Sequence, residues 1–146
     1  MAIIHLFSGK YHFLSNFCPS PTPYMGITWK SAEHAYQAAK LTDDNVARAI
    51  LRDMPSPGLA KRYARKHPKP DGWDDRKVQV MREVLWAKFT HVEFRKQQLL
   101  ETGDAHLLEG NDWGDEFWGC VKAGHVWRGE NTLGKLLMEL REKLRG

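Results

Sequence analysis

The octapeptide Glu33-His34-Ala35-Tyr36-Gln37-Ala38-Ala39-Lys40 constrains this chain more than any other segment. Its residues favour a helix, and a helix places side chains three, four and seven apart on one face. That face carries Glu33, Tyr36, Gln37 and Lys40. Ala32, Ala35 and Ala39 fall on another face, small enough for close packing against a neighbour. A carboxylate, a phenol, an amide and an amine in register read as a site. An ordinary surface helix would scatter its charges. Glu33 alone has a plainer reading, that of an acid favoured by the helix N-terminus. Gln37 and Lys40 on the same face weigh against it.

A chain of 146 residues suits one domain with one core. Hydrophobic residues make up 42% and charged residues 27%, the balance of a soluble globular protein. No apolar run approaches a membrane span, and the first residues lack the pattern of a signal peptide. The expected location is therefore the cytoplasm, with no membrane partner. Cys18 and Cys120 stand alone, outside any Cys-x-x-Cys pair, and read as buried reduced thiols. The net charge of +4 favours anionic partners. Six Trp exceed ordinary usage for this length, so some rings are free to hold a flat ligand.

Along the chain, Ile3–Phe7 is β-prone and Ser8-Gly9 ends it. Pro19, Pro21 and Pro23 predict an extended loop. Met25–Trp29 reads as a strand, and Ser31 as the N-cap of the Glu33 helix. Thr42 or Asp43 is expected to cap a short helix that stops before Pro55. Ser56-Pro57 opens another up to Lys66. Further helices are expected from Asp74 or Asp75 to Thr90 and from about Val92 to Leu100, the latter closed at Gly103. Residues 106–128 promise short strands. Leu133, Leu136, Leu137, Leu140 and Leu144 form the stripe of a final helix. The expectation is a helix-rich single α+β domain over 1–146 with a small β-sheet.

Two further segments could carry chemistry. Asn111-Asp112-Trp113-Gly114-Asp115-Glu116-Phe117-Trp118-Gly119 interleaves acids and amides with three rings and two glycines. It suits a loop that presses a carboxylate against a ring-shaped ligand, and equally a tight turn with structural aromatics. In Ala60–His67, Lys61 and Arg65 are four residues apart and share a face, a credible phosphate site. Arg62, Lys66 and Lys69 read better as a solvated basic face. The chain has no His-x-x-x-His, no Cys/His cluster, no Gly-x-Gly-x-x-Gly, no Walker loop and no Gly-x-Ser-x-Gly elbow. These absences argue against zinc hydrolases, Rossmann enzymes, P-loop NTPases and α/β-hydrolases.

Phe13-Leu14-Ser15-Asn16-Phe17 followed by Ser31–Lys40 resembles the opening of the NADAR family, also called YbiA-like. The resemblance continues through Ala60-Lys61, Trp73, Val80-Met81, Lys88-Phe89, Leu100–Gly103, Trp113-Gly114-Asp115, Trp118-Gly119, Gly129–Met138 and Arg141. The family's Gly-Arg pair after the motif lysine is Ala64-Arg65 here, and its Asp-Trp pair is split as Asp71-Gly72-Trp73-Asp74. The resemblance implies an α+β N-glycosidase without metal or cofactor. Its substrates would be phosphoribosylamino-pyrimidine intermediates of riboflavin biosynthesis, or ADP-ribosyl-guanine in DNA. No obligate protein partner is implied. On that footing Glu33 is expected to stabilise charge at the anomeric carbon or activate water, and Asp115 to serve the departing nitrogen. Lys40, then Lys61, is the candidate for an alternative Schiff-base route. Trp73 and Trp118 would stack on the base, Asn16 would hold the ribose, and Arg65 would meet phosphate. Tyr36, Gln37, Gly119 and Asn131 complete the expected substrate contacts. The rival from another class is a non-catalytic reader of ADP-ribose or NAD. A second is a basic nucleic-acid-binding module, for which only the Lys61–Lys69 stretch speaks.

Overall fold

The computed structural model describes residues 2–41 and 43–146. In chain order the elements are β1 (Ile3–Ile4), β2 (Pro19–Tyr24), β3 (Ile27–Ser31), α1 (Ala32–Lys40), α2 (Asn45–Arg52), α3 (Pro57–Arg65) and α4 (Trp73–His91). They continue with α5 (Glu93–Glu101), β4 (His106–Leu107), β5 (Gly110–Asn111), β6 (Cys120–Ala123), β7 (Val126–Arg128) and α6 (Thr132–Arg145). A 3-10 helix spans Gly9–Leu14. Among the described residues about 51% are helical and the strands are shared among three small sheets, so the fold is α+β. Two compact units form, one from Asn16–Val92 and one from the residues up to Ser15 together with Glu93–Gly146.

In the Asn16–Val92 unit, β2 and β3 form an antiparallel hairpin. Its turn, Met25-Gly26, has φ of 53° and 77°, the paired positive angles of a tight type I′ hairpin. The three prolines thus lie in a strand rather than in the expected loop. A strand tolerates proline where the missing N–H is not needed for pairing, or beside a bulge. The pairing is irregular between Pro19 and Thr22. Prolines alone say "extended"; only the partner strand makes that extension a sheet.

Helix α1 is central to this unit and packs against α2, α3, α4, β2 and β3. Eight of its nine residues are buried, although its sequence is only half apolar. Local chemistry sets the neighbouring ends. Ser56 Oγ accepts from Leu59 N at 3.2 Å and caps α3, as expected. Asp44 Oδ1 accepts from Ala47 N at 2.9 Å and caps α2. The expected cap there was Asp43, one residue early, or Thr42, which lies outside the described residues. Helix α4 buries Trp73, Val80, Met81, Val84, Leu85 and Phe89 at helical spacing. With Trp29 and Leu51 these form the unit's apolar core, each large side chain contributing about 1.5–3 kcal/mol by leaving water.

In the other unit, β1 pairs in parallel with β4, and β5-β6-β7 form a second sheet. Helix α6 packs on α5 and β4. Cys120 here and Cys18 in the first unit are both buried and free, as expected. The start of α6 fits its surroundings tightly. Thr132 N donates to Phe117 O at 3.1 Å and Leu133 N to Trp118 O at 2.9 Å, so loop carbonyls take N–H groups that would otherwise be orphans. A methyl group at Gly134 would strike Leu107 O and the Asn131 amide. Gly134→Ala is therefore expected to destabilise the protein by about 1–3 kcal/mol, read as a lower urea midpoint.

Candidate functional site

Ser31 caps α1, its Oγ accepting from His34 N at 3.1 Å. The cap places Glu33 in the first turn, where its own N–H donates to Asn16 O at 3.1 Å. The Glu33 side chain is only 6% exposed. One turn on, Gln37 Nε2 donates to Glu33 Oε2 at 2.6 Å. Burial pushes the Glu33 carboxyl above its usual range, while the Gln37 hydrogen bond and the charges of Lys61, Lys40 and Arg65 pull it down. One carboxylate thus lies in the field of three cations. Burial also lowers the Lys40 amine, Lys69, Arg65 and Lys61 lower it further, and Glu33 opposes them.

Lys61 and Arg65 reach this neighbourhood because α3 packs on α1. Lys61 Nζ lies 5.8 Å from the centre of the Phe17 ring, which fixes the stem of the side chain by a cation–π contact. Arg62, Lys66 and Lys69 are exposed, matching the solvated face expected of them. Tyr36 and Trp73 meet at 5.4 Å between ring centres, with a 55° tilt. The Arg76 guanidinium lies 5.5 Å over the same indole, and Trp73 is only 3% exposed. A base stacked on Trp73 would have to replace one of these neighbours.

His34 has a role that the sequence reading missed. Its Nε2 lies 2.9 Å from Met54 O, and a carbonyl only accepts, so Nε2 carries the proton. Its Nδ1 then accepts from Ser31 Oγ at 2.7 Å. Lys30 Nζ donates to the same Met54 carbonyl and to Asp53 O, both at 3.2 Å. The neutral imidazole therefore ties the turn of α1 that bears Glu33 to the segment leading into α3. Spacing held the signal: a histidine three residues after a serine cap.

Burial lowers the His34 pKa from 6.5, the Met54 bond opposes this, and the Lys30 charge adds to it. The unfolded chain therefore binds the proton first as pH falls. His34's contribution is complete above about pH 6.5 and is lost as pH falls toward the lower folded value. Replacing His34 by Gln is expected to cost about 1–3 kcal/mol at pH 7. In urea titrations the gap to wild type should narrow at pH 5.

Asp115, Trp118, Gly119 and Asn131 belong to the second unit and are tied into its backbone. Asp115 Oδ1 accepts from Phe117 N at 3.1 Å and from Trp118 N at 2.9 Å. Its N–H donates to Asn111 Oδ1 at 2.9 Å, and Asn111 Nδ2 returns a bond to Asp115 O at 2.8 Å. These bonds hold Asp115 in a tight turn. Phe117 and Trp118 meet edge to face at 4.9 Å. A Cβ at Gly119 would strike Glu109 O, so close strand approach requires the glycine. Asn131 Oδ1 accepts from Glu109 N and its Nδ2 donates to Leu107 O, both at 2.9 Å. Both ends of that amide join the start of α6 to the strand segment.

The model of the NADAR domain matches residues 6–145. The chain belongs to the NADAR family. It is 43% identical over 140 residues to the N-glycosidase YbiA of Escherichia coli, covering 94% of this chain and 84% of that protein. An N-glycosidase of Nostoc punctiforme is 38% identical over 140 residues, covering 92% of this chain and 86% of that protein. A riboflavin biosynthesis protein of Vibrio vulnificus is 38% identical over 137 residues, covering 92% of this chain but 36% of that longer protein. The NMR structure of E. coli YbiA superimposes with a TM-score of 0.83 at 39% identity, covering 99% of this chain and 85% of that one. This NADAR chain therefore has the expected α+β fold. Among its described residues no helix is long and apolar enough to cross a membrane.

Proposed function

We propose that this NADAR chain is an N-glycosidase that hydrolyses the bond between a phosphorylated ribose and a nitrogen base. The observation that carries the reading is Glu33, a buried carboxylate in the field of Lys40, Lys61 and Arg65. Breaking an N-glycosidic bond builds positive charge at the anomeric carbon. A carboxylate stabilises that charge or takes a proton from attacking water. A phosphate carries negative charge, which three cations around one carboxylate can balance. Arg65 offers the planar fork that fits phosphate, and Lys61 offers a point charge. The relatives named N-glycosidase support the reaction class, and the relative named for riboflavin biosynthesis favours phosphoribosylamino-pyrimidines.

The lowered proton affinity of Lys40 favours a second route. In this route the ribose opens by breaking the bond between C1 and the ring oxygen, the neutral amine adds to C1, and the base leaves with a proton, so that C1 is held on the lysine as a Schiff base. Hydrolysis of that Schiff base then frees the sugar. Borohydride reduction followed by mass spectrometry is expected to leave an adduct on Lys40 if this route operates. An unmodified Lys40 during active turnover removes it.

A substrate panel tests the function. Phosphoribosylamino-pyrimidines, ADP-ribosylated guanosine in DNA, NAD and free ADP-ribose are incubated with the protein, and released base is followed by liquid chromatography. Release from the phosphoribosylamino-pyrimidine is expected. Tight ADP-ribose binding in calorimetry with no turnover of any N-riboside would favour a reader instead.

A further inference from the structure

Beside Glu33, two buried amides each lack a partner at the oxygen end. Gln37 is 4% exposed and Asn16 8%, and among the described residues neither Gln37 Oε1 nor Asn16 Oδ1 has a hydrogen-bond partner. Their nitrogen ends are placed by chemistry. Gln37 Nε2 faces the Glu33 carboxylate at 2.6 Å, and Asn16 Nδ2 faces the Met81 sulfur, a weak acceptor, at 3.3 Å. The two orphan atoms are therefore acceptors, and any ligand that satisfies them must bring donors. Both flank Glu33: Gln37 through its hydrogen bond, and Asn16 through the carbonyl that takes the Glu33 N–H.

We infer that Gln37 reads the 2-hydroxyl of the substrate sugar, so that the site accepts ribosides and rejects 2-deoxyribosides. The inference rests on Glu33 facing the anomeric carbon. That carbon has two ring neighbours. The ring oxygen only accepts and cannot pair with an amide oxygen. The 2-hydroxyl donates, and it suits Gln37 Oε1. The other orphan acceptor, Asn16 Oδ1, likewise calls for a donor. A 2-deoxy sugar leaves the buried Gln37 oxygen unsatisfied, the situation in which enzymes discriminate most strongly. Intrinsic reactivity runs the other way, because a 2-deoxy sugar stabilises anomeric positive charge more readily. Preference for the riboside would therefore come from the protein. Hydrogen bonds to the 2-hydroxyl that strengthen in the transition state serve ordinary glycosidases in the same way.

The test measures binding and turnover separately. Calorimetry compares ribose 5-phosphate with 2-deoxyribose 5-phosphate, on wild type and on Gln37→Met, which keeps length and removes the acceptor. Wild type is expected to bind the ribose compound about tenfold or more tighter, and Gln37→Met to bring the ratio close to one. In turnover, kcat/KM for a phosphorylated N-riboside should exceed that of its 2-deoxy analogue by about a hundredfold or more. Equal affinity of wild type for the two sugar phosphates, or binding of neither, overturns the inference, and both readings need no variant to fold. Discrimination without turnover of any riboside would leave the inference standing and remove the proposed activity. Turnover without discrimination would do the reverse.

Discussion

Glu33→Gln is expected to release base at least about a thousandfold more slowly than wild type while melting at the same temperature or higher at pH 7. The two halves of this expectation share one cause. Glu33 is buried, and burial raises its pKa above the ordinary carboxylate value. A raised value in the folded state means that the fold favours the neutral form. Its contribution to stability is present below the unfolded value, near 4.5, and is lost as pH rises through the folded one. At neutral pH the unfolded chain ionises this group more readily than the fold does, which weakens the fold, and a neutral amide of the same shape removes that penalty. The Gln37 bond survives the change, because the new side chain still offers an oxygen to Gln37 Nε2. Loss of turnover with retained or increased thermal stability separates a functional carboxylate from a structural one. A Glu33→Gln protein that melts well below wild type would assign the residue to the core instead.

Lys40→Met is expected to lower turnover by about a hundredfold to a thousandfold and to move the acid limb of the pH–rate profile toward higher pH. Lys40 is one of the three cations that pull the Glu33 carboxyl down. Without it the carboxyl takes up its proton at higher pH, so less of it is ionised at neutrality. The shift follows from charge alone and does not depend on Lys40 acting as nucleophile. Lys61→Met should move the limb in the same direction, since Lys61 also lowers Glu33. A profile unmoved in both variants would break the electrostatic link between the cations and Glu33.

Most of this architecture was legible because it is local. Ser31 and Ser56 cap helices through bonds that span three residues, and such bonds can be read from spacing. The leucine stripe of α6 and the packing face of α4 follow from period alone. What depends on a distant partner was harder. The prolines of β2 read as loop because nothing within them announces β3. Trp73 was expected to stack on a base, yet Tyr36 and Arg76 already cover its ring, one from another helix and one a turn along its own. Asp115 shows the reverse case. A short acid among glycines and aromatics suggests chemistry, and its bonds to Phe117 N and Trp118 N show a carboxylate organising its own loop. The face of Glu33, Gln37 and Lys40 was visible from helical spacing. The field of Lys61 and Arg65 on that face arises from the packing of α3 on α1. So do the bonds that His34 makes across twenty residues to Met54.

The most direct measurement of the central claim is a quenched time course of free base from a phosphorylated N-riboside, run on wild type and Glu33→Gln at equal folded concentration. The account predicts steady release by wild type and a rate lower by about a thousandfold or more in the variant. Equal release by the two proteins would contradict it.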